Sequence, residues 1–324
     1  MATSKSLRGP WPPRSGPTAS PPRPPEPLAE DGCGPTRRRT LDSARQIVQQ
    51  AAERLENAGV LEPAASAEVL LAELLGVRRS ELASYPGPLS EEQAALYEGW
   101  ISRRIEREPV QRILGYAYFR NLRLELDEHA LIPRPDTESV VDAALEAIDR
   151  WGGSCRVLDV GAGSGAIAIS IAQEHPSCDV HATDHSEGAI RIARRNAARA
   201  GAKVRFHRTD LTSGLDALEG SVGLLVSNPP YVRSADIPDL APEVRDWDPH
   251  PALDGGPDGL DFYRRIFAES APLLADGADV VLEVGDGQVE EVLEIGRRAG
   301  YTLLGTYPDL AGTPRAALLR WGSG

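Results

Sequence analysis

The spacing of hydrophobic residues divides this chain into segments of different predicted structure. Between residues 41 and 108, apolar side chains recur every three or four positions, as at Ile47, Ala51 and Leu55. This spacing puts them on one face of an α-helix. Ser90, followed by two glutamates and a glutamine, is a favourable helix start. We predict a small helical domain over residues 41–108, suited either to recognition of a substrate or to capping the next domain.

A different pattern begins at Arg156, where short apolar runs alternate with helical stretches. Such alternation is typical of βαβ units in a mostly parallel sheet. The last two runs are joined by a short connection with Pro308 and Gly312, so we expect an antiparallel hairpin at a sheet edge. Residues 138–324 are therefore predicted to form an α/β, Rossmann-like domain of the methyltransferase type. Its seven strands are expected near residues 156–160, 179–184, 203–209, 222–227, 279–284, 302–307 and 315–321.

Residues 109–137 are less regular and are predicted to form a short hairpin followed by a rigid linker. Two prolines flank Arg134, and prolines stiffen a loop by fixing φ. Such a loop suits the wall of a binding cleft, although it could simply join two domains. Asp136 or Thr137 is expected to cap the helix that begins near Glu138.

The first 40 residues hold ten of the 27 prolines, together with Ser, Gly and Arg and almost no periodic apolar residues. Such a segment cannot bury enough apolar surface to offset the entropy lost on ordering. We predict a disordered, solvated Pro/Arg-rich tail over residues 1–40. Its Pro-Pro-Arg-Pro-Pro run could still serve as a polyproline ligand, and its three consecutive arginines could contact nucleic acid.

Charge and cysteine content narrow the class of protein. The net charge is −13, and residues after the tail carry 28 Lys and Arg against 45 Asp and Glu, a net charge of −17. An acidic body disfavours non-specific binding to a phosphate backbone. Cys33, Cys155 and Cys178 have irregular spacing that suggests neither a disulfide framework nor a metal site. With no apolar run long enough to span a bilayer and no secretory signal, we expect a metal-free cytoplasmic protein.

The first predicted strand of the sheet leads directly into a glycine-rich turn. The Gly-x-Gly-x-Gly spacing differs from the dinucleotide fingerprint, and no Lys-Ser/Thr ending of a phosphate-binding loop follows. Glycines allow a tight turn and a close approach of the backbone to a ligand. The turn therefore favours S-adenosylmethionine, a nucleoside without phosphate. Its residues are Gly161, Ala162, Gly163, Ser164 and Gly165.

Carboxylates follow the next two predicted strands, at Asp184 and at Asp210, which Leu211 follows. Ligands of such sheets bind at the carboxyl ends of the strands. Asp184 could therefore accept hydrogen bonds from ribose hydroxyls, while Asp210 and Leu211 could contact an adenine ring. Either aspartate alone would equally suit a strand end or a helix cap, but their succession after the glycine turn favours a ligand site.

The fourth predicted strand ends in a stiff polar turn, Asn228, Pro229, Pro230 and Tyr231. The prolines fix φ and drive Asn228 out of the α region. Oxygens of Asn228 and Pro229 can accept hydrogen bonds from an –NH₂ group, and the Tyr231 ring can lie against a planar group. The turn predicts a clamp for a base or an amide, although an ordinary Pro-Pro loop at the end of a buried strand fits these four residues about as well.

These motifs resemble a known family. Asn-Pro-Pro-Tyr after the fourth strand and Asp-Val-Gly-Ala-Gly-Ser-Gly after the first are similar to amino-directed S-adenosylmethionine methyltransferases. Leu-Ile-Pro-Arg-Pro-Asp-Thr-Glu at residues 131–138 and Ala-Leu-Asp-Gly-Gly-Pro-Asp-Gly-Leu-Asp-Phe-Tyr-Arg at residues 252–264 narrow the resemblance to the PrmC/HemK family. The resemblance covers about residues 41–321. It implies methylation of the glutamine in the Gly-Gly-Gln motif of peptide chain release factors.

The resemblance also implies which residues bind the cofactor, S-adenosylmethionine. The glycine turn and Asp184 would hold its methionine and ribose parts, with Asp210 and Leu211 beside the adenine. Many members of the family have an aromatic residue at the position of Leu211, which weakens the implied adenine contact. Asn228 would contact both the cofactor and the substrate.

The implied substrate site lies around the fourth strand end. Asn228 and the Pro229 carbonyl would accept hydrogen bonds from the glutamine amide, and Pro230, Tyr231 and Phe119 would surround the glutamine side chain. A partly mobile lip is expected over residues 246–260. The implied catalytic residues are Asn228, Pro229, Pro230 and Tyr231.

The implied partners are peptide chain release factors, and we expect a monomer with no nucleic-acid substrate and no membrane association. Two alternatives stay open from the sequence. One is an amino-directed methyltransferase that acts on adenine or guanine in nucleic acid, which the acidic body disfavours. The other is a non-catalytic partner-binding protein that retains the fold, which the intact glycine turn, Asp184 and Asn228 disfavour.

Overall fold

The computed structural model describes residues 43–322, so the predicted disordered tail lies outside the described residues. The chain divides into two compact units, with the boundary between Glu106 and Arg107. Among residues 43–322, no helix has both the length and the apolar character needed to cross a bilayer.

The first unit is helical in its described part. Two of its helices begin with a capping box, formed by Ser43 with Gln46 and by Ser90 with Gln93. In each box, the serine hydroxyl accepts a hydrogen bond from the glutamine backbone N–H, and the glutamine side chain accepts one from the serine backbone N–H. The predicted helix start at Ser90 is therefore confirmed. Leu55 is among the completely buried side chains of this unit. The helices are α1 (Ala44–Asn57), α2 (Pro63–Leu75) and α3 (Glu91–Ile105), with a 3-10 helix at Arg79–Ser84.

The second unit opens with a short helix and a two-stranded antiparallel sheet. In the sheet, Tyr116 pairs with Glu125 and Phe119 with Leu122, so the predicted hairpin is confirmed. The helix was not predicted, because it is a single turn. These elements are α4 (Val110–Leu114), β1 (Tyr116–Phe119) and β2 (Leu122–Glu125).

A seven-stranded sheet forms the centre of the second unit, as predicted. Its strands are β3 (Arg156–Val160), β4 (Asp179–Asp184), β5 (Val204–Arg208), β6 (Val222–Ser227), β7 (Leu274–Glu283), β8 (Tyr301–Pro308) and β9 (Pro314–Trp321). Their order in the sheet is β5-β4-β3-β6-β7-β9-β8, with β3 to β7 parallel and β9 antiparallel to both of its neighbours. The last two strands form the predicted hairpin, and β8 is the edge strand. Strand β7 begins earlier than predicted because Leu274 pairs with Val222 before a register shift.

Helices cover both faces of this sheet. Successive residues of a strand point to opposite faces, and Val157 and Leu158 accordingly belong to two different buried clusters. The first cluster includes side chains of α5 (Glu138–Arg150) and α6 (Ala166–Glu174), and the second includes side chains of α9 (Asp261–Ser270) and α10 (Val289–Arg298). The helices are α5 (Glu138–Arg150), α6 (Ala166–Glu174), α7 (Glu187–Ala200), α8 (Pro242–Arg245), α9 (Asp261–Ser270) and α10 (Val289–Arg298), with 3-10 helices at Pro135–Thr137, Asp216–Leu218, Ser234–Asp239, His250–Ala252 and Ala271–Leu273.

The start of α5 differs from the prediction in one respect. The helix begins at Glu138, as expected, but neither Asp136 nor Thr137 caps it with its side chain. The hydroxyl of Thr137 instead donates a hydrogen bond to Glu283 at the end of β7. A residue that was predicted to stabilise a helix end is therefore part of a network across the sheet edge.

Candidate active site

A cavity of about 320 Å³ lies at the carboxyl ends of the parallel strands. Ends of four predicted strands contribute to its wall, together with the linker before α5 and the segment after α8. This is the edge of an open α/β sheet where ligands bind. Of the predicted site residues, those that line the cavity are Gly161, Ala162, Gly163, Ser164, Asp184, Asp210, Leu211, Asn228, Pro229 and Pro230.

The glycine turn after β3 is held against the end of β4. The backbone N–H groups of Gly161 and Ala162 donate to the carbonyl oxygen of Thr183, at 2.9 and 2.8 Å. Asp184 accepts hydrogen bonds from the N–H of Gly163 (2.9 Å) and from the N–H of Ser186 (2.8 Å). Each carboxylate oxygen has a further lone pair, so Asp184 can fix the turn and still accept a hydrogen bond from a ligand hydroxyl.

The end of β5 contributes a carboxylate and an apolar side chain. Asp210 forms an ion pair with Arg265 at 2.8 Å, and the Asp210 side chain is 61% exposed. Leu211 is almost buried and has a φ of +48°. A leucine in this left-handed region is strained, and Leu211 is one of the apolar residues that line the cavity.

The Asn-Pro-Pro-Tyr turn after β6 is anchored from both sides. Ser227 donates its hydroxyl to the carbonyl oxygen of Val160 (2.6 Å), and Gln288 donates its side-chain amide to the carbonyl oxygen of Tyr231 (3.0 Å). Gly255 packs so closely that a Cβ there would lie 2.8 Å from the Tyr231 Cα. The turn is therefore a rigid part of the cavity wall.

A hydrogen-bonded network behind Asn228 was not found from the sequence. Asn228 Nδ2 donates to Thr137 Oγ1 (3.2 Å), and Thr137 Oγ1 donates to Glu283 Oε2 (2.6 Å). Tyr231 donates its hydroxyl to Glu283 Oε1 (3.4 Å). Burial raises the pKa of Glu283 to about 7. The sequence feature that could have indicated Glu283 is its position as an acidic residue at the carboxyl end of an apolar strand, because ligands bind at that edge of the sheet.

Three predicted site residues do not line the cavity. Gly165 faces α6 and α7, where a Cβ would lie 2.8 Å from Ile169 Cδ1 and 3.2 Å from the Cβ of Ala193, so its role is close packing of two helices. Tyr231 packs behind the turn, with its hydroxyl on Glu283. Phe119 is 1% exposed and belongs to the buried cluster that includes α5 and α6, so its contact with the substrate stays a prediction.

The segment over residues 246–260 is tied to the domain. Asp248 accepts hydrogen bonds from Arg112 (3.2 Å) and Arg134 (2.5 Å), and its side chain is completely buried. Val232 also pairs with Asp254 in a short parallel bridge. The segment supplies Pro249, Pro251 and Ala252 to the cavity wall. These contacts hold parts of the segment in place, and the partly mobile lip stays a prediction.

The composition of the wall suits a nucleoside without phosphate. Asp184 and Asp210 are acceptors, and Leu211 is apolar. Arg134 is a cationic side chain of the wall, but its guanidinium group is bound to Asp248. Acceptors for hydroxyl and amino groups are thus present, and the arginine is engaged elsewhere.

The sheet with its reversed last strand, together with the glycine turn after β3, defines a Rossmann-like class I methyltransferase. Residues 142–243 match the family model of the methyltransferase small domain, and residues 46–115 match that of the PrmC N-terminal domain. The chain belongs to the release factor glutamine methyltransferase family.

Two relatives named release factor glutamine methyltransferase agree with this membership. The chain is 41% identical over 276 residues to the release factor glutamine methyltransferase of Streptomyces coelicolor, covering 84% of this chain and 96% of the relative. It is 38% identical over 275 residues to that of Agrobacterium fabrum, covering 83% and 94%. A methyltransferase structure from Pyrococcus furiosus is similar with a TM-score of 0.42 and 21% identity, covering 61% of this chain and 88% of that chain.

Proposed function

We propose that this protein transfers a methyl group from S-adenosylmethionine to the side-chain amide nitrogen of the glutamine in the Gly-Gly-Gln motif of peptide chain release factors. Membership of the release factor glutamine methyltransferase family supports the reaction. The observation that carries the proposal is the position of Asn228, Pro229 and Pro230. They line the same cavity as the glycine turn and Asp184, so a substrate amide can meet the cofactor there.

The residues proposed to hold the cofactor are those that line the cavity at the ends of β3, β4 and β5. Asp184 would accept hydrogen bonds from the ribose hydroxyls, and Leu211 would pack against the adenine beside Asp210. When bound, the cofactor supplies an electrophilic methyl group on a sulfonium sulfur, whose bond to carbon breaks as the bond from the substrate nitrogen forms.

Orientation of the substrate amide is the main contribution of the chain. An amide nitrogen is a poor nucleophile because its lone pair is delocalised into the carbonyl group. Oxygens of Asn228 and Pro229 accept hydrogen bonds from its two N–H groups, which fixes its line of approach and stabilises the positive charge that develops on it. Alignment and charge stabilisation of this kind contribute several kcal/mol.

Loss of a proton completes the reaction. The nitrogen of an N-methylated amide that carries a positive charge is strongly acidic, so the proton passes to solvent without a dedicated base. No cysteine or histidine nucleophile takes part in this mechanism. The product is a secondary amide with one remaining N–H.

The proposed partner follows from the proposed substrate. Release factors act in translation termination, so the reaction takes place in the cytoplasm, with the enzyme acting as a monomer on a protein substrate. The net charge of −17 after residue 40 disfavours a nucleic-acid substrate, because tight binding to phosphates needs basic surface.

Mass spectrometry of the Gly-Gly-Gln peptide tests the proposal, after a release factor has been incubated with the protein and S-adenosylmethionine. We expect one added methyl group on the glutamine side chain. Parallel reactions with labelled cofactor and RNA or DNA identify the alternative, since label in the nucleic acid contradicts a protein substrate. Absence of cofactor binding in calorimetry contradicts catalysis altogether.

A further inference from the structure

The side chain of Asn228 is connected to a buried carboxyl group through one hydroxyl. Thr137 is 4% exposed and Glu283 is 2% exposed, so neither exchanges its partner freely with water. Asn228 Nδ2 lies 3.2 Å from Thr137 Oγ1, which lies 2.6 Å from Glu283 Oε2. The three groups form a chain that runs from the cavity wall into the domain.

The direction of the hydrogen bonds in this chain follows from elementary donor and acceptor counts. A hydroxyl has one hydrogen to donate, and an ionised carboxylate can only accept. Thr137 must therefore donate to Glu283, and toward Asn228 its oxygen can only accept. The –NH₂ end of the Asn228 side chain accordingly faces Thr137, and its carbonyl oxygen Oδ1 is left for another partner.

Glu283 is itself held rigidly. It pairs with Ala316 in the ladder between β7 and β9, and its carbonyl oxygen accepts a hydrogen bond from the Tyr263 hydroxyl (2.9 Å). Its second carboxylate oxygen accepts from Tyr231. The sheet thus fixes the position of the Glu283 carboxylate, the acceptor that sets the direction of the hydrogen bonds from Asn228 through Thr137.

We propose that Thr137 and Glu283 are positioning residues that hold the Asn228 amide with Oδ1 toward the substrate glutamine. The inference rests on the proposed function, since the group that Oδ1 meets is the substrate –NH₂. With the amide reversed, Asn228 would present two N–H donors to the two N–H donors of the substrate. The hydroxyl of Thr137 prevents that reversal.

Protonation of Glu283 makes the orientation of the Asn228 amide less certain to be the one that the substrate needs. A protonated carboxyl group can donate to Thr137, whose hydroxyl can then donate to the Asn228 oxygen and reverse the amide. The titratable and charged groups that face Glu283 are Asp136 before α5, Tyr231 after β6, Tyr263 in α9 and Arg315 in β9. Burial has a larger effect than these neighbours and raises the pKa of Glu283 to about 7. Below that pH, Thr137 therefore fixes the orientation of the Asn228 amide less strongly.

The first test compares Thr137→Val, which keeps the shape and removes the hydroxyl, with Thr137→Ser, which keeps the hydroxyl. Methylation of a release factor is measured by mass spectrometry, and affinity for S-adenosylmethionine by calorimetry. We expect Thr137→Val to lower kcat by about 10- to 100-fold with cofactor affinity unchanged, and Thr137→Ser to recover most of the turnover. Normal kcat in Thr137→Val contradicts the positioning role.

The second test is the pH profile of kcat, which a purely structural role would not move. In the wild-type enzyme we expect turnover to fall as the pH drops below about 7. In Glu283→Gln, whose carboxamide does not titrate, that fall should be absent. The same acid limb in both proteins contradicts the role of Glu283. A wild-type enzyme that leaves the release factor unmethylated contradicts the proposed function itself, and the positioning role with it.

Discussion

The carboxylate of Asp248 lies 2.5 Å from the guanidinium group of Arg134, and the Asp248 side chain is completely buried. Arg112, with a side chain that is 7% exposed, is a second partner of the same carboxylate. One buried acidic group therefore joins the linker before α5 to the segment after α8, and both segments line the cavity.

The buried ion pair predicts a large effect for Asp248→Asn. Removing the carboxylate leaves the Arg112 guanidinium buried without its counter-charge, which typically costs about 3–5 kcal/mol. We expect a loss of this order in the free energy of unfolding, measured by urea denaturation. Asp246→Asn is the matched control, because Asp246 pairs with Arg245 at an exposed position, and it should leave the urea midpoint unchanged. Equal midpoints for both variants would show that the Asp248 contacts contribute no stability.

Asn228→Ala should separate cofactor binding from catalysis. The substitution removes the oxygen proposed to orient the substrate amide, while the groups proposed to hold the cofactor stay in place. We expect turnover to fall by about 100-fold or more, with unchanged affinity for S-adenosylmethionine in calorimetry. Asn121→Ala, at an exposed turn between β1 and β2, is the control and should methylate normally. Near-normal methylation by Asn228→Ala would exclude the proposed role.

The two aspartates that line the cavity should contribute differently to the affinity for S-adenosylmethionine. Asp184 is 10% exposed at its side chain and fixes the glycine turn, whereas Asp210 is 61% exposed and paired with Arg265. We expect Asp184→Ala to raise the Kd for S-adenosylmethionine by about 10- to 100-fold, the equivalent of one charged hydrogen bond. Asp210→Asn should raise it by much less. Calorimetry measures both, and a larger effect at Asp210 would contradict this order.

Two buried acids predict how stability depends on pH. Burial raises the pKa of Asp159 to about 7 and that of Glu283 to about 7, well above the values of both groups in an unfolded chain. The folded protein therefore binds more protons between about pH 4 and pH 7, so the stability that these acids contribute is present below pH 4 and is lost as the pH rises to 7.

The corresponding measurement is the free energy of unfolding at several pH values. One unit of pKa difference equals about 1.4 kcal/mol, so Glu283 accounts for a fall of up to about 3 kcal/mol and Asp159 for a fall of up to about 4 kcal/mol. Glu283→Gln and Asp159→Asn should each make the profile between pH 5 and pH 7 flatter than in the wild-type protein. A profile that keeps its slope in both variants would show that neither acid titrates in this range.

Phe119→Leu should distinguish a core residue from a substrate contact. Because Phe119 is 1% exposed in the core, we expect a loss of about 1 kcal/mol in the free energy of unfolding, typical of a conservative change of core volume. The KM for the release factor should stay unchanged. An increase in KM without a loss in the free energy of unfolding would indicate that Phe119 contacts the substrate.

The sequence alone determined the seven strands of the large sheet and, to within a residue, where its parallel strands end. Short apolar runs mark the strands, helical stretches separate most of them and a short turn joins the last two, and local periodicity carries that information. The glycine turn, Asp184, Asp210, Leu211 and the Asn-Pro-Pro turn each follow a strand. Since parallel strands end at one edge of the sheet, their assembly around one cavity could also be predicted.

Only the tertiary structure decided which side chains face that cavity. Phe119 and Gly165 were both predicted to belong to the site, but Phe119 lies in a buried cluster and Gly165 packs closely against Ile169 and Ala193, and neither lines the cavity. Thr137 and Glu283 are far apart in the sequence, and their hydrogen bond exists only because the sheet brings the end of β7 beside the start of α5. Side-chain direction and contacts between distant segments depend on the whole fold, and no local pattern specifies them.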